Sequence, residues 1–406
     1  MKVLIFEWGS YNHNDILETF REKGCECSVV KHRFKDVNHD DEFVHEFNGY
    51  LKSGEYDLVY STNFFPLVSE CCNENSIGYI SWSYDAPLDV PDIERTLGLP
   101  CNHAFMYDRE QVNGYRNKGF NNVYHLPLAV NIKRLDRIYL SASNRKKYKS
   151  QVSFVGNLYD SQMLSIRSVM NEFYQGFLDA VMKAQAKIYG YYLVDDVLTD
   201  DVMADINRVV YDKTVEYRSK NRSEKQNNVR TEDIDENAIL HISRAALSYA
   251  MAAQITREDR LLALKLLSNH YDVGLYSREK NDLLDKVRHM GTVDYDSGMP
   301  MVFKCSDINL NMTLRCIRSG IPLRALDIMG AGGFLLSNYQ PELAENFIDG
   351  EEMVMYDSIE DMYEKTGFYL RNSELRREIA ARGHEKVSRE YRYEDRLDEM
   401  IRISGV

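Results

Sequence analysis

Residues 1–31, MKVLIFEWGSYNHNDILETFREKGCECSVVK, decide how the rest of the chain is read. Residues 3–6 are a short apolar run, the length of a buried strand. A helix is expected over 16–23, with Asn14 or Asp15 as its cap and Gly24 as its stop. A second strand follows at 27–31. Two short apolar strands joined by a helix imply a parallel sheet covered on both faces. Right-handed crossovers make such a unit the start of a doubly wound domain.

Outward from there the alternation continues. Helices are expected at 42–52, 67–73 and 109–118, and strands at 56–61, 77–83, 103–107 and 123–128. This gives one Rossmann-like domain over 1–133. A polar stretch rich in lysine and arginine, 134–150, reads as a linker. A new strand at 151–155 opens a second domain over 151–390. Helical periodicity without strand signal then fills about 162–269, with a charged loop at 220–235, and is read as an insertion. Strands resume at 273–276, 308–312, 334–337 and 353–356. Helices follow at 359–370 and 373–390. A closing helix within 391–406 is expected to cross back to the first domain. The fold class is therefore α/β, with two doubly wound domains and a helical insertion in the second.

Composition agrees with this and narrows the function. A chain of 406 residues exceeds what one core serves, and its 44% hydrophobic and 28% charged residues argue against disorder. Fifty basic against 63 acidic residues leave a net charge of −13, a field that repels nucleic acid and anionic lipid. An anionic ligand would need a local basic pocket. Seven cysteines, an odd number without zinc-finger spacing, read as reduced thiols. No signal-peptide pattern or membrane-length apolar run is present, so a cytoplasmic protein without integral membrane contact is expected.

In open α/β sheets, ligands bind beyond the carboxyl ends of the strands. The most informative loop there is 314–333, LRCIRSGIPLRALDIMGAGG. Ser319-Gly320 precedes Ile321-Pro322, and proline favours a first helical turn, so an anion site is expected at this helix start. Arg315, Arg318 and Arg324 suit a diphosphate, because guanidinium groups pair with phosphate oxygens bidentately. Asp327, one turn after Arg324, would accept ribose hydroxyls; the alternative is a surface Arg–Asp pair. Gly156 and Asn157 end the first strand of the second domain, where a small residue admits phosphate or sugar. Tyr276 and Ser277 end the next, where a base would stack, although a core-edge aromatic explains Tyr276 equally well. On the first domain, His13 is suited to accept a proton from an acceptor hydroxyl, or is a solvated loop histidine. Asp85 would act as base or orient the sugar, with Trp82 stacking on a sugar face; a turn aspartate and a buried tryptophan are the alternative. His125 reads as a hinge residue. Asp195-Asp196 and Asp200-Asp201 read as solvated turns. No metal motif appears.

The segment from INLNMTLRCIRSGIPLRALDIMGAGGFLLSNYQPEL to the final helix resembles the C-terminal domain of CgeB-like, spore-maturation-type glycosyltransferases. YISWSYDAP, VYHLPLAVN and VSFVGNLYD are similar to that group's linking elements. The resemblance covers nearly the whole chain. It implies a GT-B fold, with a donor site mainly in the second domain and an acceptor site mainly in the first. In broader relatives with a Glu-x7-Glu motif, the second glutamate holds the donor ribose and the first contacts the sugar. Those positions fall here on Asp327 and on Ser319, which is not a carboxylate. Residues 338–342, with Tyr339, stand where those relatives place a phosphate loop, but lack its glycines.

The expectation is a metal-independent, hexosyltransferase-type glycosyltransferase. It would use a nucleotide-sugar, taken as a UDP-sugar, and no further cofactor. Its acceptor would be a glycan, a protein or a lipid-linked sugar, and no nucleic acid is expected as partner. The insertion is the expected place for acceptor specificity or assembly into a homo-oligomer. The alternatives are a nucleotide-sugar 2-epimerase on the same scaffold and a non-catalytic sugar-binding partner of another transferase.

Overall fold

The computed structural model describes residues 1–88, 90–224 and 241–405. The first sheet is built from β1 (Lys2–Glu7), β2 (Glu26–Lys31), β3 (Leu58–Thr62), β4 (Gly78–Ser83), β5 (Asn102–Met106) and β6 (Val123–His125). Its order is β2-β1-β3-β4-β5-β6 and every pairing is parallel. The crossovers carry α1 (His13–Glu22), α2 (Asp41–Gly54), α3 (Pro66–Glu74), α4 (Ile93–Leu97) and α5 (Arg109–Asn117). The central strands are buried along their length, as the uninterrupted apolar runs require. Strand order reverses between β1 and β3.

Two short helices, α6 (Ile132–Asp136) and α7 (Ala142–Tyr148), lie between the sheets, within the stretch read as a linker. The second sheet starts with β7 (Ser150–Val155). Four helices and the long α12 follow: α8 (Met163–Ser168), α9 (Glu172–Gln185), α10 (Leu193–Val197), α11 (Asp200–Glu224) and α12 (Arg244–Ser268). Part of the loop expected at 220–235 is the end of α11; from 225 on it lies outside the described residues. Then come β8 (Val273–Tyr276), β9 (Arg288–His289), α13 (Gly298–Cys305), β10 (Ser306–Asn311), α14 (Leu323–Gly330), β11 (Leu335–Asn338), α15 (Pro341–Asn346), β12 (Val354–Tyr356), α16 (Ile359–Arg371), α17 (Ser373–Glu390) and α18 (Tyr393–Ser404). The sheet order is β12-β11-β10-β7-β8-β9, again parallel, with the reversal between β7 and β10.

The insertion has its own apolar cluster, with Met170, Leu178, Val194, Ile206, Leu247 and Met251. It reaches Leu314 and Cys316 beyond β10. A larger cluster runs unbroken from the first sheet through Leu126–Val130 and α14 to Tyr393 and Leu397. α18 packs on the first domain: Tyr393 lies 5.9 Å from the Trp82 ring, and its hydroxyl meets that of Tyr84 at 3.0 Å. Among the described residues, no helix is long and apolar enough to cross a membrane.

Candidate functional site

Both strand-order reversals open onto the space between the sheets. On the second domain, α14 begins at Leu323 with Pro322 as its N-cap residue. The helix start expected at Ser319-Gly320 is thus displaced, because Pro322 sits at the cap and not within the first turn. The N–H groups of Arg318 and Ser319 are already used. They donate to the Asp108 carboxylate of the first domain, at 2.8 and 3.3 Å. The Ser319 hydroxyl lies 2.9 Å from Asp108 and 2.8 Å from Glu342. Gly320 packs so tightly on Tyr107 that a Cβ there would sit 2.7 Å from the ring.

Asp327 is 3% exposed, and its carboxylate accepts the Tyr295 hydroxyl at 3.1 Å. Burial pushes its carboxyl up to about 6; Arg324, the Tyr295 hydrogen bond and Arg134 pull the other way, and Asp15 adds to the rise. Arg324, one turn earlier, is half-buried against the Met299 sulfur and 5.7 Å from the Phe303 ring. No carboxylate among the described residues forms an ion pair with it. The surface Arg–Asp pair is therefore not what this helix presents: the aspartate is buried and the arginine is unpaired.

Arg315, by contrast, is committed. Its guanidinium pairs with Asp259 at 2.6 and 2.9 Å, donates to the Ile188 and Ala186 carbonyls, and stacks on Tyr189 at 3.7 Å. It docks the insertion, with four of its five N–H donors committed there. Arg318 pairs with Asp195, so that aspartate is not a solvated turn. Tyr276 is core: 3% exposed, packed near Tyr148, its hydroxyl pushed up to about 12 by burial. It has no face free for a base. Trp82 is fully buried and donates to the Leu126 carbonyl, so it cannot stack on a sugar. Ser277 is buried and bonded to Glu279, which also accepts the Leu158 N–H at 3.1 Å. Gly156 and Asn157 stand beyond β7, Asn157 exposed. Tyr339 is 37% exposed beyond β11, where its ring crowds Gly190.

On the first domain, His13 is the first residue of α1, not a loop residue. Its Nδ1 meets Glu7, the last residue of β1. Glu7 also accepts the N–H of Gly9 at 2.5 Å and of Ser10 at 3.0 Å. Burial alone would raise the Glu7 carboxyl, but His13 and these amides hold it below its ordinary value. Sequence reasoning passed over Glu7 as the end of a strand; the signal was a carboxylate between an apolar run and a glycine turn. Asp85 is exposed and accepts the Asn63 amide at 2.6 Å. His125 reaches Glu342 at 2.8 Å across the domains.

The two sides meet. Asp15 on α1 accepts two hydrogen bonds from Arg134, at 3.0 and 3.1 Å. Arg134 lies over the Tyr295 ring at 5.1 Å, and Tyr11 lies 6.1 Å from the same ring. The loop after β1 thus reaches the residue that bonds Asp327. A recess of about 220 Å³ lies between the domains beside Ser319, lined by Arg109, Glu110, Tyr191, Asp196 and Arg318 among others. A wider recess of about 430 Å³ lies on α1, away from these groups. Among the described residues, no group of three or more His, Cys, Asp or Glu side chains could hold a metal ion.

Residues 237–402 match the model of a family described as Glycosyl transferase-like. Among solved structures, sucrose-phosphate synthase from Thermosynechococcus elongatus is 10% identical with a TM-score of 0.57, covering 99% of this chain and 98% of that one. HepE of Anabaena in complex with UDP-glucose is 8% identical with a TM-score of 0.56, and the likeness covers 100% of both chains. No curated protein matches the chain. At such identities the likeness is one of fold, and the fold is GT-B. Residues 237–402 thus form a glycosyltransferase-like segment on that scaffold.

Proposed function

We propose that this chain is a metal-independent glycosyltransferase of hexosyl type, related to the CgeB-like group and working in the cytoplasm. It would move a sugar from a UDP-sugar to a glycan, protein or lipid-linked acceptor. The observation that carries this reading is the pair on α14. A buried carboxylate, Asp327, and Arg324, which forms no ion pair among the described residues, stand one turn apart on α14, and Asp327 bonds Tyr295, the neighbour of Tyr11 in the first-domain loop. The carboxylate would accept the ribose hydroxyls beside the Tyr295 hydroxyl. Arg324 and the N–H groups of the first turn of α14 would hold the diphosphate, neutralising the charge that develops as it leaves. Gly156, Asn157, Ser277, Gly320 and Tyr339 would be the further loop residues of the donor site.

His13 would accept the acceptor proton. Its Nδ1 is held by Glu7, which fixes the tautomer and leaves Nε2 as the basic nitrogen. Asp85 would orient the acceptor. Arg315 and Tyr276 have no part in this reading. HepE was captured with UDP-glucose, so UDP-glucose is the first donor to try.

The test is a thermal-shift screen of the purified protein against UDP-, GDP-, TDP- and CMP-sugars without added metal. A ligand that binds only the native state raises the melting temperature, by about 2.7 kcal/mol of added stability at a hundred times Kd. UDP-sugars are expected to give the shift. A melting temperature unmoved by every nucleotide would overturn the donor site.

A further inference from the structure

α12 turns one strongly basic side chain inward. Arg260 is 7% exposed and falls on the same buried face as Thr256, Ala263, Leu264 and Leu267. Its Nη1 donates to the Asn157 carbonyl at 2.5 Å and its Nη2 to the Met312 carbonyl. Those carbonyls lie just beyond β7 and β10, the strands on either side of the reversal in the second sheet. That is the position where an open α/β sheet takes its ligand. The Phe154 and Tyr159 rings lie 5.0 and 4.7 Å away. Tyr159 is held at φ 61°, a conformation that costs a non-glycine residue about 1 kcal/mol or more.

Carbonyls and rings solvate a guanidinium but do not neutralise it. No carboxylate among the described residues forms an ion pair with Arg260. Asp259 holds Arg315, and Glu279 holds Ser277 and the Leu158 amide. The Arg260 Nε is buried with no hydrogen-bond partner. Burial pushes its pKa down, against the Tyr159 and Tyr356 hydroxyls. Arg260 is thus buried at the strand reversal with no ion pair among the described residues. A Cβ at position 156 would stand 3.2 Å from Phe154 and 3.9 Å from Arg260 Nη1, so glycine keeps that side open. An unpaired buried charge is costly, and a bound anion with phosphate geometry would offset the cost.

We infer that Arg260, supplied by the inserted helix, is a ligand of the donor's diphosphate and works with Arg324. The assignment rests on the donor reading given above. It makes the insertion part of the donor site: α12 contributes the second cation, in a loop set that contains no basic residue of its own between Gly156 and Ser161.

The experiment compares the affinities of UDP, UMP and inorganic pyrophosphate for the wild type, Arg260→Met and Arg260→Lys, with the fold of each checked by circular dichroism. The wild type is expected to bind UDP at least tenfold more tightly than UMP, and to bind pyrophosphate. Arg260→Met should bring the UDP/UMP ratio near one and abolish pyrophosphate binding. Arg260→Lys, which keeps the charge but loses the fork, should lower the ratio at least threefold, and it decides the matter if the Met variant does not fold. A purely structural tie would lower the melting temperature and leave the ratio unchanged, which would overturn the assignment while the donor reading stands. Pyrophosphate binding lost with Arg260, in a protein that takes no nucleotide, would keep the anion site and remove the donor reading. A wild type that binds none of the three would remove both.

Discussion

The strand-end loops of the two sheets face each other, and their charged groups differ in how they are paired. In the first domain the groups satisfy one another: Glu7 with His13 and two amides, Asp85 with Asn63, Asp15 with Arg134. In the second, Arg324 and Arg260 form no ion pair among the described residues, and Asp327 is a buried carboxylate held up near 6. The first side can meet a neutral hydroxyl without rearrangement. The second is incomplete until an anion and a pair of hydroxyl donors arrive. A donor binding on one side and an acceptor on the other is what this asymmetry predicts.

The largest expected effect lies on the first side. His13→Ala should lower kcat by roughly 10²- to 10⁴-fold, the usual weight of a general base, with donor affinity unchanged. Unchanged turnover would remove His13 and reduce its pairing with Glu7 to a turn contact. The contrast between paired and unpaired arginines comes next. Arg315→Ala should cost about 3 kcal/mol in chemical unfolding, because it strands the half-buried Asp259. Arg324→Ala should hardly move the unfolding midpoint, yet weaken UDP binding roughly 10- to 100-fold, the weight of a charged hydrogen bond. Equal stability losses in both would mean that Arg324 is also structural.

The smallest and most specific effect is with pH. Asp327 has a folded pKa of about 6 against about 4 unfolded. Between those values the folded state holds the extra proton, so this group's contribution to stability falls as pH rises from about 4 to about 6. Donor binding needs the ionised carboxylate and should move the opposite way, losing up to about tenfold per pH unit below about 6. Isothermal titration across this range should show that slope in the wild type and a flat, weak profile in Asp327→Asn. A wild-type affinity independent of pH from 4 to 8 would take Asp327 out of the ribose site.

The alternation of apolar strands and helices was open to view in the sequence, because buried parallel strands must be apolar along their whole length. Arg324 and Asp327 stood out in the sequence only as charges one turn apart beside a helix start; the burial of Asp327 was not visible there. What the sequence hid were partners distant in the chain. Arg315 looked identical to Arg324 until the insertion brought Asp259 against it. Ser319-Gly320 looked like a helix start, but Asp108 of the other domain accepts the Arg318 and Ser319 amides and the helix begins at Leu323. Tyr276 and Trp82 ended strands as site residues would, and tertiary packing made them core. Arg260 did carry a signal, a charge on the apolar stripe of α12, masked by reading the insertion as a place for acceptor specificity or self-association.

The return of α18 has a consequence for how the protein is made. Tyr84 and Tyr393 meet across 309 positions of sequence, and the helix that carries Tyr393 covers Trp82. During synthesis the strands of the first sheet leave the ribosome long before that cover exists. The surface around Trp82 must then wait, sticky and half-finished, while some three hundred further residues are added. Domains usually fold in turn from the N-terminus. Here the first to emerge is among the last to be completed, and the interval is one in which a chaperone would find a binding surface.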